Sequence, residues 1–267
     1  MNAPTDRETE LAGALAALRL RLNRAAENAG RKVEEIELLP ITKFFPATDI
    51  AILFELGCRE FGEAREQEAA GKVAEIPTLV SGPAADVRWH MVGQIQRNKA
   101  KAIAGWAHTA HSVSTAKVVS ALDRGAAQAL ADGGRTEPLH IYIQLSLDGD
   151  TARGGVDVND RAAVDTICAQ VADAQALELI GVMGVPPLGV DPERAFARFA
   201  DEHRRVMGDH PQATGLSAGM SGDMELAVKH GSTCVRVGTA LMGTRPLTSP
   251  GVVTPVTSSS QVPNFQG

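Results

Sequence analysis

Eight short apolar or β-branched runs alternate along this chain with longer, Ala-rich amphipathic segments, and that alternation restricts it to a parallel sheet with helical crossovers. The runs fall at 36–43, 58–61, 88–92, 107–113, 139–147, 177–185, 213–217 and 233–237, and the helix-like segments at 47–56, 63–74, 95–104, 115–131, 159–176, 192–207 and 222–230. Eight strand–helix units within 267 residues predict an α/β fold, a single TIM-type (β/α)8 barrel. A doubly wound open sheet is the rival, but no strand is followed by the Gly-x-Gly-x-x-Gly turn that would support it. Ahead of the first unit, Leu11, Leu15, Leu18 and Leu22 recur at helical spacing between a capping Thr5 or Asp6 and Gly30, which predicts an extra helix over 6–28. The barrel is expected to occupy 6–245. The stretch 246–267, rich in Pro, Ser, Thr, Val and Gly without period, is expected to be disordered.

Charge and composition exclude several classes of function. A net charge of −6 lacks the basic face that phosphate-backbone binding needs, so nucleic acid is not the expected partner. Three widely spaced cysteines fit neither a disulfide framework nor a C-x-x-C metal site, and they point to a reducing cytoplasm. The acidic residues Asp6, Glu8 and Glu10 precede the first apolar run, the wrong charge order for a secretory signal, and no run approaches a membrane span.

In such a barrel the chemistry sits at the carboxyl ends of the strands. Lys43 follows Leu38-Leu39-Pro40-Ile41-Thr42 and precedes Phe44 and Phe45. Desolvated there, its amine would be nucleophilic and suited to a Schiff base; pointed outward, it would be an ordinary solvated lysine. At the last two strand ends, Ser217, Gly219, Ser221 and Gly222, then Gly238 and Thr239, bring small residues to two successive helix starts. That is a phosphate cradle, or else a cap and a tight turn. Arg236 alternates into the barrel mouth if Gly238 ends its strand, and a buried guanidinium there calls for an acceptor such as a pyridine nitrogen. His90 and His111 stand at strand ends, where contact with ligand competes with a purely structural role. His108 and His111, three apart on one predicted strand, face opposite sides and make a poor metal pair. No metal site and no catalytic residue is expected.

These residues, in order, resemble the pyridoxal phosphate homeostasis proteins, which are similar to a free-standing alanine racemase barrel. The matching stretches are Thr42-Lys43, Phe61-Gly62-Glu63, Trp89-His90-Met91-Val92-Gly93 with Gln96 and Asn98-Lys99, His111-Ser112-Val113, Gly219-Met220-Ser221-Gly222-Asp223 and Val235-Arg236-Val237-Gly238-Thr239-Ala240. The resemblance implies that Lys43 carries pyridoxal 5'-phosphate (PLP) as an internal aldimine. It also implies that Ser217, Ser221, Gly238 and Thr239 surround the phosphate, that Arg236 meets the ring nitrogen, and that His90 and Met91 lie at the cofactor. The expected function is intracellular PLP homeostasis, with the cofactor buffered or delivered to apo PLP enzymes by a monomer or weak homodimer. The alternative is an amino-acid racemase, which needs a second base; Tyr142, the sole tyrosine, lies inside a predicted strand. A Schiff-base aldolase and a non-catalytic interaction barrel are further readings. The chain departs from the family pattern at Ala64 and Arg65, where Asn often follows Phe-Gly-Glu, and at Ser114, where Asp is frequent.

Overall fold

The computed structural model describes residues 5–187 and 189–244. The expected disorder over 246–267 lies outside them. The strands are β1 (Glu37–Pro40), β2 (Glu60–Glu63), β3 (Arg88–Met91), β4 (Thr109–Val113), β5 (Leu139–Ser146), β6 (Val156–Asp157), β7 (Leu177–Gly184), β8 (Gly215–Ser217) and β9 (Cys234–Val237). All pair in parallel in the order β1-β9-β8-β7-β5-β4-β3-β2, and a bridge between Ile41 and Gly62 joins the two ends into a closed barrel. The (β/α)8 expectation holds, with one addition: the two-residue β6 sits beside the carboxyl end of β5, off the barrel path.

The helices are α1 (Asp6–Asn28), α2 (Ala47–Glu55), α3 (Glu66–Glu75), α4 (Ala100–Trp106), α5 (Ala116–Ala131), α6 (Arg161–Ala172), α7 (Pro192–Asp209), α8 (Met224–Lys229) and α9 (Thr239–Met242). None among the described residues is long and apolar enough to cross a membrane.

The helix over 6–28 forms as its leucine spacing requires. Thr5 and Glu8 make a reciprocal capping box, and Leu11, Leu15, Leu18 and Leu22 are buried against Ile50, Leu53, Val228 and Leu241. Its polar side then ties down the loops at the barrel mouth. Arg7 pairs with Asp49 of α2 at 2.6 Å and donates to the Met242 carbonyl at the end of α9. Arg21 pairs with Glu225 of α8 at 2.5 Å and donates to the Ser221 carbonyl at 2.6 Å. One helix thus braces the segments that follow three different strands.

Several boundaries move, and three of the moves matter chemically. The first strand stops at Pro40, which places Lys43 in the turn beyond it. The second strand runs to Glu63 and α3 begins only at Glu66, so Glu63 is a strand-end side chain facing inward. The fourth strand begins at Thr109; His108 sits in the bend before it, free of the strand alternation that had set it opposite His111.

Candidate cofactor site

After Pro40 the chain keeps its place between both neighbouring strands for two more residues. Ile41 donates its N–H to the Val237 carbonyl at 2.7 Å and Thr42 to the Gly62 carbonyl at 3.0 Å. Lys43 then opens a turn in which Phe44 takes φ = 73°, the left-handed region a bulky side chain rarely enters. Such a conformation costs on the order of 1–3 kcal/mol and persists only where the surroundings enforce it.

The enforcing group is a buried ionic cluster. Lys72 donates from Nζ to Glu63 Oε1 at 2.8 Å, to Glu68 Oε1 at 2.7 Å and to the Thr42 carbonyl at 3.0 Å. Thr42 Oγ1 donates to Glu63 Oε1 at 2.6 Å, and the Phe44 N–H donates to Glu68 Oε1 at 2.5 Å. Arg65 lies over the Phe44 ring, 4.8 Å from its centroid. Glu63 and Lys72 are 0% and 6% exposed, so these charges are worth keeping only as a set. Burial pushes the Glu63 carboxyl above its ordinary range, and Lys72 opposes that rise. The residues on either side of Lys43, Thr42 and Phe44, are therefore held from β2 and α3. Sequence reasoning missed this cluster; its one visible signal was Glu68 and Lys72 at i,i+4 spacing.

Arg236 is neighbour to the same turn, because β9 pairs with β1 in the register Leu39 to Arg236 and Pro40 to Val237. Its guanidinium points into the barrel at 7% exposure, donating from Nη1 to Ser217 Oγ at 2.6 Å and from Nη2 to the Gly184 carbonyl at 3.0 Å. No carboxylate pairs with it among the described residues, and burial pulls its pKa down. Beneath Ser217 runs a column of hydrogen bonds down the barrel axis. His111 Nδ1 meets Ser217 Oγ at 2.9 Å, His111 Nε2 meets His90 Nδ1 at 2.9 Å, and His90 Nε2 meets Glu60 Oε2 at 2.5 Å. Full burial holds His111 well below its ordinary pKa, so it is neutral with a single N–H. Donor arithmetic then gives a consistent chain: Arg236 to Ser217, Ser217 to His111, His111 to His90, and His90 to the Glu60 carboxylate. Tyr142 stacks on His111 at 4.5 Å, with its phenol pushed up by burial.

The loop after β8 lies against β9, with the Arg236 N–H donating to the Gly219 carbonyl at 3.0 Å. Gly219 adopts φ = 90°, and a Cβ there would stand 2.5 Å from that of Ala227, so both backbone angle and space demand glycine. Asp223 Oδ1 accepts from the Met220 N–H at 2.6 Å, closing the turn. Ser221 and Gly238 are half-exposed and Thr239 is exposed, on the rim formed by the starts of α8 and α9.

Of the residues expected at the ligand, Lys43, Ser221, Arg236, Gly238 and Thr239 come together at the carboxyl ends of adjacent strands or in the turns that follow. Three side chains are turned elsewhere. Ser217 presents its hydroxyl to His111 and Arg236 inside the barrel. His90 bonds down the column toward the amino ends of the strands, and Met91 packs outward with Ile95, Ala100 and Ile103. Alternation along short strands reverses direction with a one-residue change of boundary, so the directions of these three side chains were not legible from the strand ends alone. At the departure Ala64, the backbone carries Gly93 so closely that a Cβ on Gly93 would lie 2.1 Å from the Ala64 carbonyl oxygen.

Comparison with known proteins bears on this geometry. The family model for the alanine racemase N-terminal domain matches residues 14–246. A pyridoxal phosphate homeostasis protein of Mycobacterium tuberculosis is 61% identical over 254 residues, which cover 94% of this chain and 98% of that one. The structure of PipY from Synechococcus elongatus PCC7942, solved with PLP bound, superposes with a TM-score of 0.70 at 31% identity over 87% of this chain and all of that chain. Alanine racemase of Clostridium difficile 630 shares the fold, with a TM-score of 0.60 at 13% identity over 85% of this chain and 57% of that one. With matches running from before β1 to beyond α9, the chain belongs to the pyridoxal phosphate homeostasis protein family.

Proposed function

We propose that this protein binds pyridoxal 5'-phosphate through Lys43 and serves PLP homeostasis, holding the cofactor and releasing it to apo enzymes that need it. The observation that carries the reading is Arg236, a buried cation with no carboxylate partner among the described residues, on the strand beside the Lys43 turn. A guanidinium has five N–H groups, and Ser217 and Gly184 engage two of them. An uncharged aromatic nitrogen is an acceptor that fits what remains. Lys43 would hold the cofactor covalently, Arg236 would donate a hydrogen bond to its ring nitrogen, and the rim of Ser221, Gly238 and Thr239 would take its phosphate.

Bound PLP supplies an aldehyde that condenses with amines and a ring that withdraws electrons. Arg236 limits the second property, because an arginine does not give up its proton to the ring nitrogen. The sole tyrosine is buried against His111 and is no second base for a racemase. Holding and delivery, rather than turnover, follow from that pairing. In this reading the protein works as a monomer or weak homodimer in the cytoplasm, where its three buried free cysteines stay reduced.

Dialysis of the PLP-loaded protein, followed by visible absorbance, tests the assignment. Arg236→Met is expected to weaken retention by about 10- to 100-fold, the value of a hydrogen bond from a charged donor. Its stability without cofactor should be unchanged or higher, since removing a buried cation relieves desolvation. Unaltered retention in this variant would remove Arg236 from the site. Separately, incubation of the loaded protein with L-alanine is expected to yield no D-alanine, and multiple turnovers would restore the racemase reading.

A further inference from the structure

At the opposite end of the barrel from Lys43, the amino ends of the strands gather a group of side chains that the cofactor reading does not use. Glu60 opens β2, His90 lies in β3, and His108 occupies the bend before β4; one ligand-type atom from each lies within 4.8 Å of the other two. Glu37, at the start of β1, adds a carboxylate whose Oε1 is 3.9 Å from His90 Nε2. Although that side chain as a whole is 32% exposed, Oε1 itself is enclosed and has no hydrogen-bond partner. A buried carboxylate oxygen without a donor costs free energy unless something else meets it. From these observations we propose that the barrel floor is a binding site for a zinc-class divalent cation, with His90, His108 and Glu60 as ligands and Glu37 completing the set.

The separations are those of a site near closure. A tetrahedral ion with bonds of about 2.0–2.1 Å holds its ligand atoms roughly 3.4 Å apart. The His90–Glu60 contact of 2.5 Å is shorter than that and the His90–Glu37 distance of 3.9 Å is longer, so an ion entering between them would spread the first pair and draw in the second. The outer partners are in place as well. His108 Nδ1 is held by Thr109 Oγ1 at 2.9 Å, and Nε2, the nitrogen that would coordinate, stands 4.0 Å from Glu137 Oε2. Glu60 Oε1 is held by Arg88 at 2.9 Å, which leaves Oε2. His90 Nδ1 faces His111, so a ring that coordinates through Nε2 would carry its proton on Nδ1 and donate it to His111, reversing the His90–His111–Ser217 hydrogen bonds of the ion-free column. Two imidazoles with carboxylates select zinc, cobalt or nickel over magnesium, which favours an all-oxygen shell. The three thiols are buried away from solvent and do not compete.

The test is equilibrium dialysis of the untagged full chain against Zn2+, with metal analysis and, in parallel, the visible spectrum after Co2+ addition. It is run with and without PLP to separate the floor from the cofactor's phosphate. The expected result is one tightly held equivalent in both states and a Co2+ spectrum of tetrahedral type, with Mg2+ not retained. His108→Gln should lower Zn2+ affinity by at least tenfold, and Glu37→Gln, which is isosteric and keeps the test open if the first variant fails to fold, by about 10- to 100-fold. No retained zinc in the wild type, or retention that neither variant alters, overturns the proposal; zinc held only in the presence of PLP assigns the ion to the cofactor and overturns it too.

Discussion

Lys72→Met is expected to destabilise the protein by about 3–5 kcal/mol at neutral pH, because it removes the cation that meets both Glu63 and Glu68 in an interior site. The effect has a signed pH dependence. The Glu63 carboxyl is already raised above its ordinary range by burial, and losing Lys72 raises it further. A raised carboxyl favours the native state fully below its unfolded value, about 4.3, and that contribution is lost as pH rises through the folded value. The deficit of Lys72→Met should therefore be smallest in acid and grow toward neutral pH. Urea unfolding at pH 5 and pH 8 measures it, and Glu63→Gln added to Lys72→Met should recover part of the loss. A deficit that is the same at both pH values would mean that Lys72 acts through packing alone. The same variant frees the strained turn at Phe44, so PLP retention should fall with stability.

Lys43→Ala is the second large effect, and it should separate chemistry from folding. The side chain is half-buried in a turn whose geometry is set by Thr42, Glu63, Glu68 and Lys72, so the fold should persist. Covalent attachment of PLP should be lost completely, leaving only the contacts of Arg236 and the rim to hold it. Visible absorbance and circular dichroism of PLP-loaded wild type and variant report both halves of the prediction. A variant that keeps the wild-type absorption after dialysis would show that another amine carries the cofactor.

Most of the barrel was legible in the sequence because a parallel β/α fold writes its period plainly. Buried strands read as apolar runs, and each crossover helix carries its own amphipathic stripe. The leucine spacing of α1, with a capping Thr5 or Asp6 before it and Gly30 beyond it, located that helix at both ends. Lys43 and Arg236 were singled out because each is a cation beside an apolar run at a predicted strand end, where an ordinary solvated side chain competes with a ligand contact. What escaped detection depends on contacts between strands. The Glu63–Lys72–Glu68 cluster joins a strand to the next helix. The column from Arg236 to Glu60 takes one residue from each of five strands, β9, β8, β4, β3 and β2. Neither leaves a periodic trace along the chain, since each residue taken alone reads as a capped end or a satisfied core polar group. His108 was set aside on strand alternation, which does not apply in the bend it occupies.

Reduction of the PLP-loaded protein with borohydride, followed by peptide mass spectrometry, reads the attachment point directly. The account predicts a single phosphopyridoxyl adduct on the peptide bearing Lys43; an adduct on Lys72 or Lys99 instead, or no adduct on a protein that has taken up PLP, would contradict it.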